Sequence, residues 1–418
     1  MKNLFLITAV LLLLSGKAVA QDKVTLDAVF QQIQKDNPGL KMYDAGIRSQ
    51  DEAAKGVRNW DPPEIGGGFW MTPYNPALWK KDPGGTPGMG SFMVSAQQMF
   101  PNKRKRDAEA KYMEAASSVD AEKKKASLNE LYAMAKKNYY EWIIIKKKLS
   151  VIDQNEKLLN FMIQNAEIRY KNGLEKISAY YKAKAALGNL QNTRLVLEND
   201  IKQKQVALNT LMNRDKLTVF DIDTIYPVKD YAATQLDSSA FINSRSDIKA
   251  VEKDIQLTYL QQSAERAKLK PEFGITYNHM FGFGGQPMQY SLMGTVRIPM
   301  ARWSSRTVNA NVESLKWKVA SLNQQKQMLV NDASGAAYNM KNEIALKKKQ
   351  LKLFDENIIP ALKRNFQVMQ LAYEQNTEQL FTLYDAWETL NMTQLEYLEQ
   401  LQQLLLMQAE LDRILEIQ

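Results

Sequence analysis

The sequence predicts a mainly α-helical fold with a small β part, arranged as two tandem repeats of long coiled-coil helical hairpins plus β-hairpins. Three observations predict it. A breaker flanked by helical patterns occurs twice, at Asn172-Gly173 and at Gln375-Asn376. Apolar residues recur on a seven-residue period over long stretches on both sides of each breaker. In each half, a Pro-Glu pair opens runs whose polarity alternates with period two, the strand signature. At a constant offset Tyr170 falls on Tyr373, Glu175 on Glu378, Ala183 on Ala386 and Leu187 on Leu390, and the match continues through Leu208 and Leu411. Gly and Asn tolerate the left-handed backbone that a tight helix-to-helix turn requires.

The first residues bear on compartment. Lys2, the apolar run Leu4–Leu14 and the small residues Ala18-Val19-Ala20 form a secretory signal with Gln21 as the mature start. Cysteine is absent, so there is no lipid-acceptor thiol, disulfide or thiolate chemistry. No other run approaches the ~18 apolar residues of a spanning helix. The net charge of +9 comes partly from Lys123–Lys125, Lys146–Lys148 and Lys347–Lys349. Each run interrupts a regular heptad, so these read as solvated helix faces rather than a nucleic-acid patch. The expected divisions are the signal peptide (1–20), a first repeat (21–213), a connector (214–245) and a second repeat (246–418).

Residues 25–60 read as helix, broken or kinked at Asn37-Pro38. From Leu40 this segment aligns with Ile248 onward, so that Pro63-Glu64-Ile65-Gly66 meets Pro271-Glu272-Phe273-Gly274. Strand pairs then follow, near 64–72 and 90–100 and again near 272–298. Phe273, Ile275, Tyr277, His279, Phe281 and Phe283 lie on one face, against Gly274, Thr276, Asn278, Met280 and Gly282. Strands of about 10 residues with one apolar and one small or polar face match the staves of a membrane β-barrel. Four strands cannot close a barrel, which starts at about 8, and an open sheet would leave unsatisfied edges in lipid. Several subunits must therefore share one barrel.

After Phe100-Pro101 a long helix begins. Leu128, Ala135, Trp142, Leu149, Ile163 and Tyr170 lie on one seven-residue series, broken by Glu156. Leu131, Ile145, Ile152, Leu159 and Ala166 lie three residues later, broken by Asn138. At 1.5 Å per residue such a helix is roughly 100 Å long. The returning helix carries Leu187, Leu190, Leu197, Ile201, Leu208 and Leu211. The second repeat follows the same plan from about Ser304, where Ile359-Pro360 must kink or locally unwind the helix. The connector, with Tyr226-Pro227, reads as a short strand or turn outside the hairpins.

Taken together, the export signal, the tandem repeats, the paired strands after Pro-Glu, the heptad helices and the Tyr170-Lys-Asn-Gly173 turn resemble the TolC family of outer-membrane efflux and secretion channels. The resemblance covers nearly the whole mature chain, in the non-lipidated branch. It implies a homotrimer in the outer membrane of a Gram-negative bacterium, with one shared barrel of twelve strands and an α-barrel extending into the periplasm. It also implies a periplasmic adaptor and an inner-membrane transporter as partners, outer-membrane lipid around the barrel, and no nucleic acid. The duct would be a passive conduit for small molecules in a tripartite efflux system. The exit channel of a type I protein secretion system and a copper or silver duct are alternatives. An exported coiled-coil structural protein without a barrel is a further alternative, opposed by the alternating strands.

Site residues follow from the same resemblance. Adaptor docking falls on Asn172, Gly173 and Leu174 and on Gln375, Asn376 and Thr377. The family's closed entrance involves a Tyr and an Asp at the positions of Tyr373 and Asp385. Its Arg position holds Glu378 here, and two acidic positions hold Ala179 and Thr382, so the family's particular salt-bridge latch is not reproduced. A different set, with Glu175 and Glu378 as a carboxylate ring and Lys176 or Lys182 as bridging cations, is expected to line the constriction, unless these are ordinary exposed helix charges. If one hairpin moves against the other, the second turn is where a gate is expected. Enzyme chemistry finds no support. His279 is the only histidine, and no phosphate-binding glycine loop occurs. No cofactor or resident metal is expected. Met71, Met89, Met93, Met99, Met280, Met288, Met293 and Met300 cluster in and near the strands; their thioethers suit Cu(I) or Ag(I) but equally fill gaps, and several alternate onto opposite faces.

Overall fold

A computed structural model describes residues 23–231 and 237–417, so the secretory signal read at 1–20 lies outside the described residues. The chain packs as two compact units. One comprises residues up to 41, 126–245 and 332–418, and the other comprises residues 42–125 and 246–331.

In the first unit, β1 (Lys23–Val24) precedes α1 (Leu26–Asp36), where Thr25 caps the helix by accepting from the Ala28 N–H. Asn37 ends α1, and α2 (Pro38–Gly56) starts at the proline, which fits the first turn of a helix because its missing N–H is not needed there. The long helix α3 (Lys103–Lys171) and its return α4 (Ile177–Leu211) make the first hairpin. α7 (Arg302–Leu353), a π-helical turn at Phe354–Ile358, α8 (Ile359–Glu374) and α9 (Leu380–Leu415) make the second. The π turn is how the helix accommodates Pro360. The ring removes one ladder donor, and the widened turn just before it absorbs the mismatch.

The heptad stripe is only partly the core. Ile145, Ile152, Leu159 and Ala166 are buried, but on the other series Leu149 is half-buried and Tyr170 is 46% exposed. A straight α-helix drifts about 20° per heptad from a 3.5-residue repeat, so one series rotates out as the other stays in. Facing this stripe are Ala186, Leu190 and Leu197 of α4 together with Tyr373, Leu380, Leu383, Tyr384 and Trp387 of the second hairpin. Asn155 is the polar member of this core. Its carbonyl accepts from the Trp387 indole N–H at 2.7 Å, and its amide donates to the Asn391 carbonyl at 2.9 Å.

The connector is largely exposed and is tied down at a few buried residues, Phe220, Ile222 and Tyr231 among them. β4 (Asp221–Ile222) pairs in parallel with β1, and Phe220 meets Trp142 edge to face at 5.2 Å. Beyond it, α5 (Ser238–Ser244) is short. Tyr231 and Lys229 reach the end of α9, where the Asp412 carboxylate accepts from Lys136 Nζ at 2.7 Å, Lys229 Nζ at 2.8 Å and the Tyr231 hydroxyl at 2.8 Å. Asn129 donates to the Arg413 carbonyl, which also accepts from the Glu416 N–H, and Arg245 donates to the Ile414 carbonyl at the end of the helix.

In the second unit, α6 (Ser246–Ala267) leads into an antiparallel sheet of β2 (Glu64–Trp70), β3 (Ser91–Phe100), β5 (Glu272–Gly282) and β6 (Gln289–Arg297), in that spatial order. Direct partners share a face. Ile65, Ala96, Tyr277 and Leu292 form one row, and Phe69, Phe92 and Phe281 another. Phe100, Phe273 and Val296 complete this apolar face. The opposite face carries Ser95, Asn278 and Ser291, with Gln97, Thr276 and Met293 in the next row. Glu272, buried at the base of the sheet, pairs with Lys105 at 2.6 Å and Arg297 at 3.3 Å. The loop after β2 contains a 3-10 turn at Pro76–Trp79, and the Trp79 ring stacks on Phe283. Among the described residues, no helix is long and apolar enough to cross a membrane.

Candidate functional site at the hairpin turns

Both turns are built by the same backbone bonds. At the first, Leu174 N–H donates to the Arg169 carbonyl at 2.9 Å and Gly173 N–H to the Tyr170 carbonyl at 3.0 Å, with Gly173 at φ +72. At the second, Thr377 N–H donates to the Ala372 carbonyl at 2.9 Å and Asn376 N–H to the Tyr373 carbonyl at 3.1 Å, with Asn376 at φ +61. This pair of bonds closes a helix C-terminus around one left-handed residue, a Schellman motif. Asn serves in the second turn because its short side chain tolerates that region. The Asn172 amide and the Thr377 hydroxyl each add a bond to a last-turn carbonyl.

A charged cluster joins the two turns. Arg169 Nη1 donates to the Tyr373 carbonyl at 3.0 Å, and its guanidinium lies 4.4 Å from the centre of the Tyr373 ring. Arg169 Nε is 3.9 Å from a Glu175 carboxylate oxygen, and that same oxygen accepts from the Leu380 N–H at 3.4 Å. The Glu175 side chain is 7% exposed and Tyr373 is 2% exposed. Burial pushes the Tyr373 hydroxyl above its ordinary pKa. Arg169 opposes that shift and Glu175 adds to it. The Tyr373 hydroxyl is buried with no hydrogen-bond partner among the described residues.

The residues singled out for a constriction therefore separate into two sets. Glu175 and Tyr373 are brought together in the buried cluster, while Thr382 and Asp385 lie exposed on α9 and Glu378 is half-buried in the turn. Glu175 and Glu378, matched by the repeat, occupy different environments within one chain. Lys182 faces rings rather than carboxylates, with Nζ 3.9 Å from the Phe381 ring centre and 4.2 Å from that of Tyr384, an attraction to the negative ring faces. Asn172, Gly173, Leu174, Gln375, Asn376 and Thr377 are all exposed at the two turns.

Arg169 is the functional candidate that sequence reasoning passed over. Its signal was its place immediately before Tyr170, where a last-turn cation is favoured by the helix dipole. The second repeat has Ala372 at the matching position, so the duplication itself hid the residue. Among the described residues, no group of three or more His, Cys, Asp or Glu side chains is placed to hold a metal ion.

Comparison with known proteins places this geometry. Residues 29–214 match the outer membrane efflux protein family. No curated protein matches the sequence. Solved structures of similar fold include the outer membrane protein VceC from Vibrio cholerae, at TM-score 0.73 and 15% identity, covering 93% of this chain and 95% of that one. The CmeC outer membrane channel of Campylobacter jejuni aligns at TM-score 0.73 and 12% identity, over 93% of this chain and 85% of that one. The open state of the MtrE outer membrane channel of Neisseria gonorrhoeae aligns at TM-score 0.70 and 15% identity, over 94% of this chain and 89% of that one. At these identities the likeness is one of fold.

Proposed function

We infer that the chain belongs over its whole length to the outer membrane efflux protein family and is one subunit of a trimeric, passive exit duct in the outer membrane of a Gram-negative bacterium. One observation carries this reading. The four-stranded sheet presents a face of Ile65, Phe69, Phe273, Tyr290 and Leu292 that is open to its surroundings, and among the described residues its outer strands β2 and β6 each have an edge with no neighbouring strand. An apolar face with free edges is an aggregation hazard in water and an unfinished barrel in lipid. Three copies, each giving four strands, would supply twelve, enough to close a barrel of about 8 strands or more. The helical hairpins would form a tunnel, and the two turns would mark its periplasmic entrance.

In this reading the turn residues Asn172–Leu174 and Gln375–Thr377 dock a periplasmic adaptor, which links the duct to an inner-membrane transporter that supplies the energy. Thr382 and Asp385, exposed on α9, and Glu378 at its start are the side chains offered to the constriction, and small molecules are the cargo. No catalytic step is assigned to the chain. The test is outer-membrane fractionation followed by planar-bilayer conductance of the purified protein. Discrete conductance steps and migration that changes on heating support the duct, whereas a soluble, non-conducting protein defeats it.

A second reading, a duct for Cu(I) or Ag(I), is favoured by one feature. Met93 and Met280 are direct partners across β3 and β5, and Met99 and Met293 lie on the same small, polar face. Thioethers are soft ligands suited to those ions. Met→Leu substitutions at these four positions that sensitise cells to silver, but not to organic drugs, would select it.

A further inference from the structure

We propose that the base of the four-stranded sheet, through Lys103, Arg104, Arg302 and Arg306, is a docking surface for the headgroups of anionic phospholipid, an inference that rests on the duct reading because that reading sets the apolar face of the sheet in lipid. Charge is spread unevenly along the sheet. The four strands carry Asp, Glu, Lys or Arg only at Glu64, Glu272 and Arg297, all near the end that joins the helices. The segments that meet at this base, 58–64, 97–107, 266–273 and 296–306, hold eleven Lys and Arg against four Asp and Glu. That surplus of seven is most of the +9 of the whole chain. The loops at the far end, 71–90 and 283–288, hold only Lys80, Lys81 and Asp82.

Ion pairs separate the cations that serve the fold from those that do not. Lys105 and Arg297 hold the Glu272 carboxylate, Lys268 holds Glu265, and Arg58 pairs with Glu114 at 3.0 Å. Lys103, Arg104, Arg302 and Arg306 are exposed, and none of them makes an ion pair among the described residues. In the same segments Asp61 and Glu64 are exposed carboxylates, but Glu64 lies in the row of Gln97 and Thr276 on the polar face. Direction follows from the pairs as well. Lys105 reaches Glu272, which lies with Arg297 on that polar face. Two residues turn an α-helix by about 200°, so Lys103 leaves α3 on the opposite side, that of the apolar face. Trp60 marks this side independently. Its ring meets Phe100 of the apolar face edge to face at 5.2 Å and is open to the surroundings, as an indole at a membrane–water boundary is. Arg302 and Arg306 lie one turn apart on one face of α7, four residues beyond the exposed Ile298 in the case of Arg302. A cluster of four or more Lys and Arg beside a membrane-embedded surface attracts anionic lipid, and the forked Arg donors match a phosphate.

Native mass spectrometry of the detergent-extracted full-length protein, with phosphatidylglycerol or phosphatidylcholine added, tests the surface. The parent is expected to retain phosphatidylglycerol about tenfold better or more, since each cation near a charged lipid surface is worth about fivefold. Replacing Lys103, Arg104, Arg302 and Arg306 together with Gln should bring that ratio below about twofold. Lys80→Gln with Lys81→Gln, at the far end, should leave it unchanged. Arg302→Gln with Arg306→Gln should lower it by about threefold or more, and serves if the fourfold variant does not assemble. No preference in the parent, or an equal loss in the Lys80 and Lys81 variant, overturns the proposal. So does a fourfold variant that keeps the lipid preference while changing the ion selectivity of bilayer conductance, because its cations then line the passage instead. A soluble, non-conducting parent defeats the duct reading, whereas a conducting parent without the lipid preference defeats this proposal alone.

Discussion

Replacing Asp412 with Ala probes a buried carboxylate of the first unit that accepts from three donors. The Asp412 carboxylate is 3% exposed and accepts from Lys136 at 2.7 Å, Lys229 at 2.8 Å and Tyr231 at 2.8 Å. Lys136 is itself 6% exposed, and burial pulls its pKa down while the Asp412 contact pulls it back up. Removing the carboxylate leaves a buried ammonium without its counter-ion, a change that costs about 3–5 kcal/mol. Lys229 loses its carboxylate partner as well, while the Tyr231 hydroxyl keeps only the Gln408 carbonyl at 3.3 Å. Local opening of the end of α9 should rise by roughly a hundred- to a few-thousand-fold, read as faster exchange of amides 405–415. The double variant Lys136→Met, Asp412→Leu should recover most of the loss, because an apolar pair removes both desolvation costs. A single-variant effect below tenfold, or a double variant no better than the single, would refute the reasoning.

Three further outcomes are expected. Trp387→Phe leaves the buried Asn155 carbonyl without its 2.7 Å donor and should destabilise the hairpin core by about 1–3 kcal/mol; adding Asn155→Leu should recover part of this in thermal melts. Gly173→Val should cost about 1–2 kcal/mol through the left-handed backbone alone, since nothing lies within 4 Å of the position its Cβ would take, whereas Gly173→Asn should cost less, as Asn376 already occupies that conformation in the second turn. Burial raises the Asp221 carboxyl, but Lys146, 2.7 and 2.8 Å from its oxygens, and the Ile222 N–H outweigh that and hold it below its ordinary 3.8. Because the folded value is the lower one, this contribution is complete above the ordinary value and disappears as pH falls through the folded one. The β1–β4 pair should therefore loosen only below about pH 3.8, and Lys146→Met should remove that acid dependence in exchange measurements.

The fold class was legible in the sequence because each element carries a local signal. Gly173 and Asn376 mark left-handed turns, the alternation of Phe92, Val94 and Ala96 marks a strand face, and Pro360 marks a break in a helix. The long-range contacts of the connector were not legible. The pairing of Asp221–Ile222 with Lys23–Val24, and the reach of Tyr231 to Asp412, join residues far apart in sequence and leave no periodic trace. The two turns were legible in position, but the contacts around them were not. Repeat matching gave Glu175 and Glu378 one role, whereas the fold gives one a buried ion pair and leaves the other in the turn. Arg169, without a counterpart in the second repeat, could be found only once Tyr373 was seen beneath it.

The central claim is that this chain supplies four strands to a barrel it cannot close alone. Native mass spectrometry of the protein extracted from outer membranes measures the number of chains directly. The account predicts three chains per assembly. A single chain, or a protein recovered without its membrane, would contradict it.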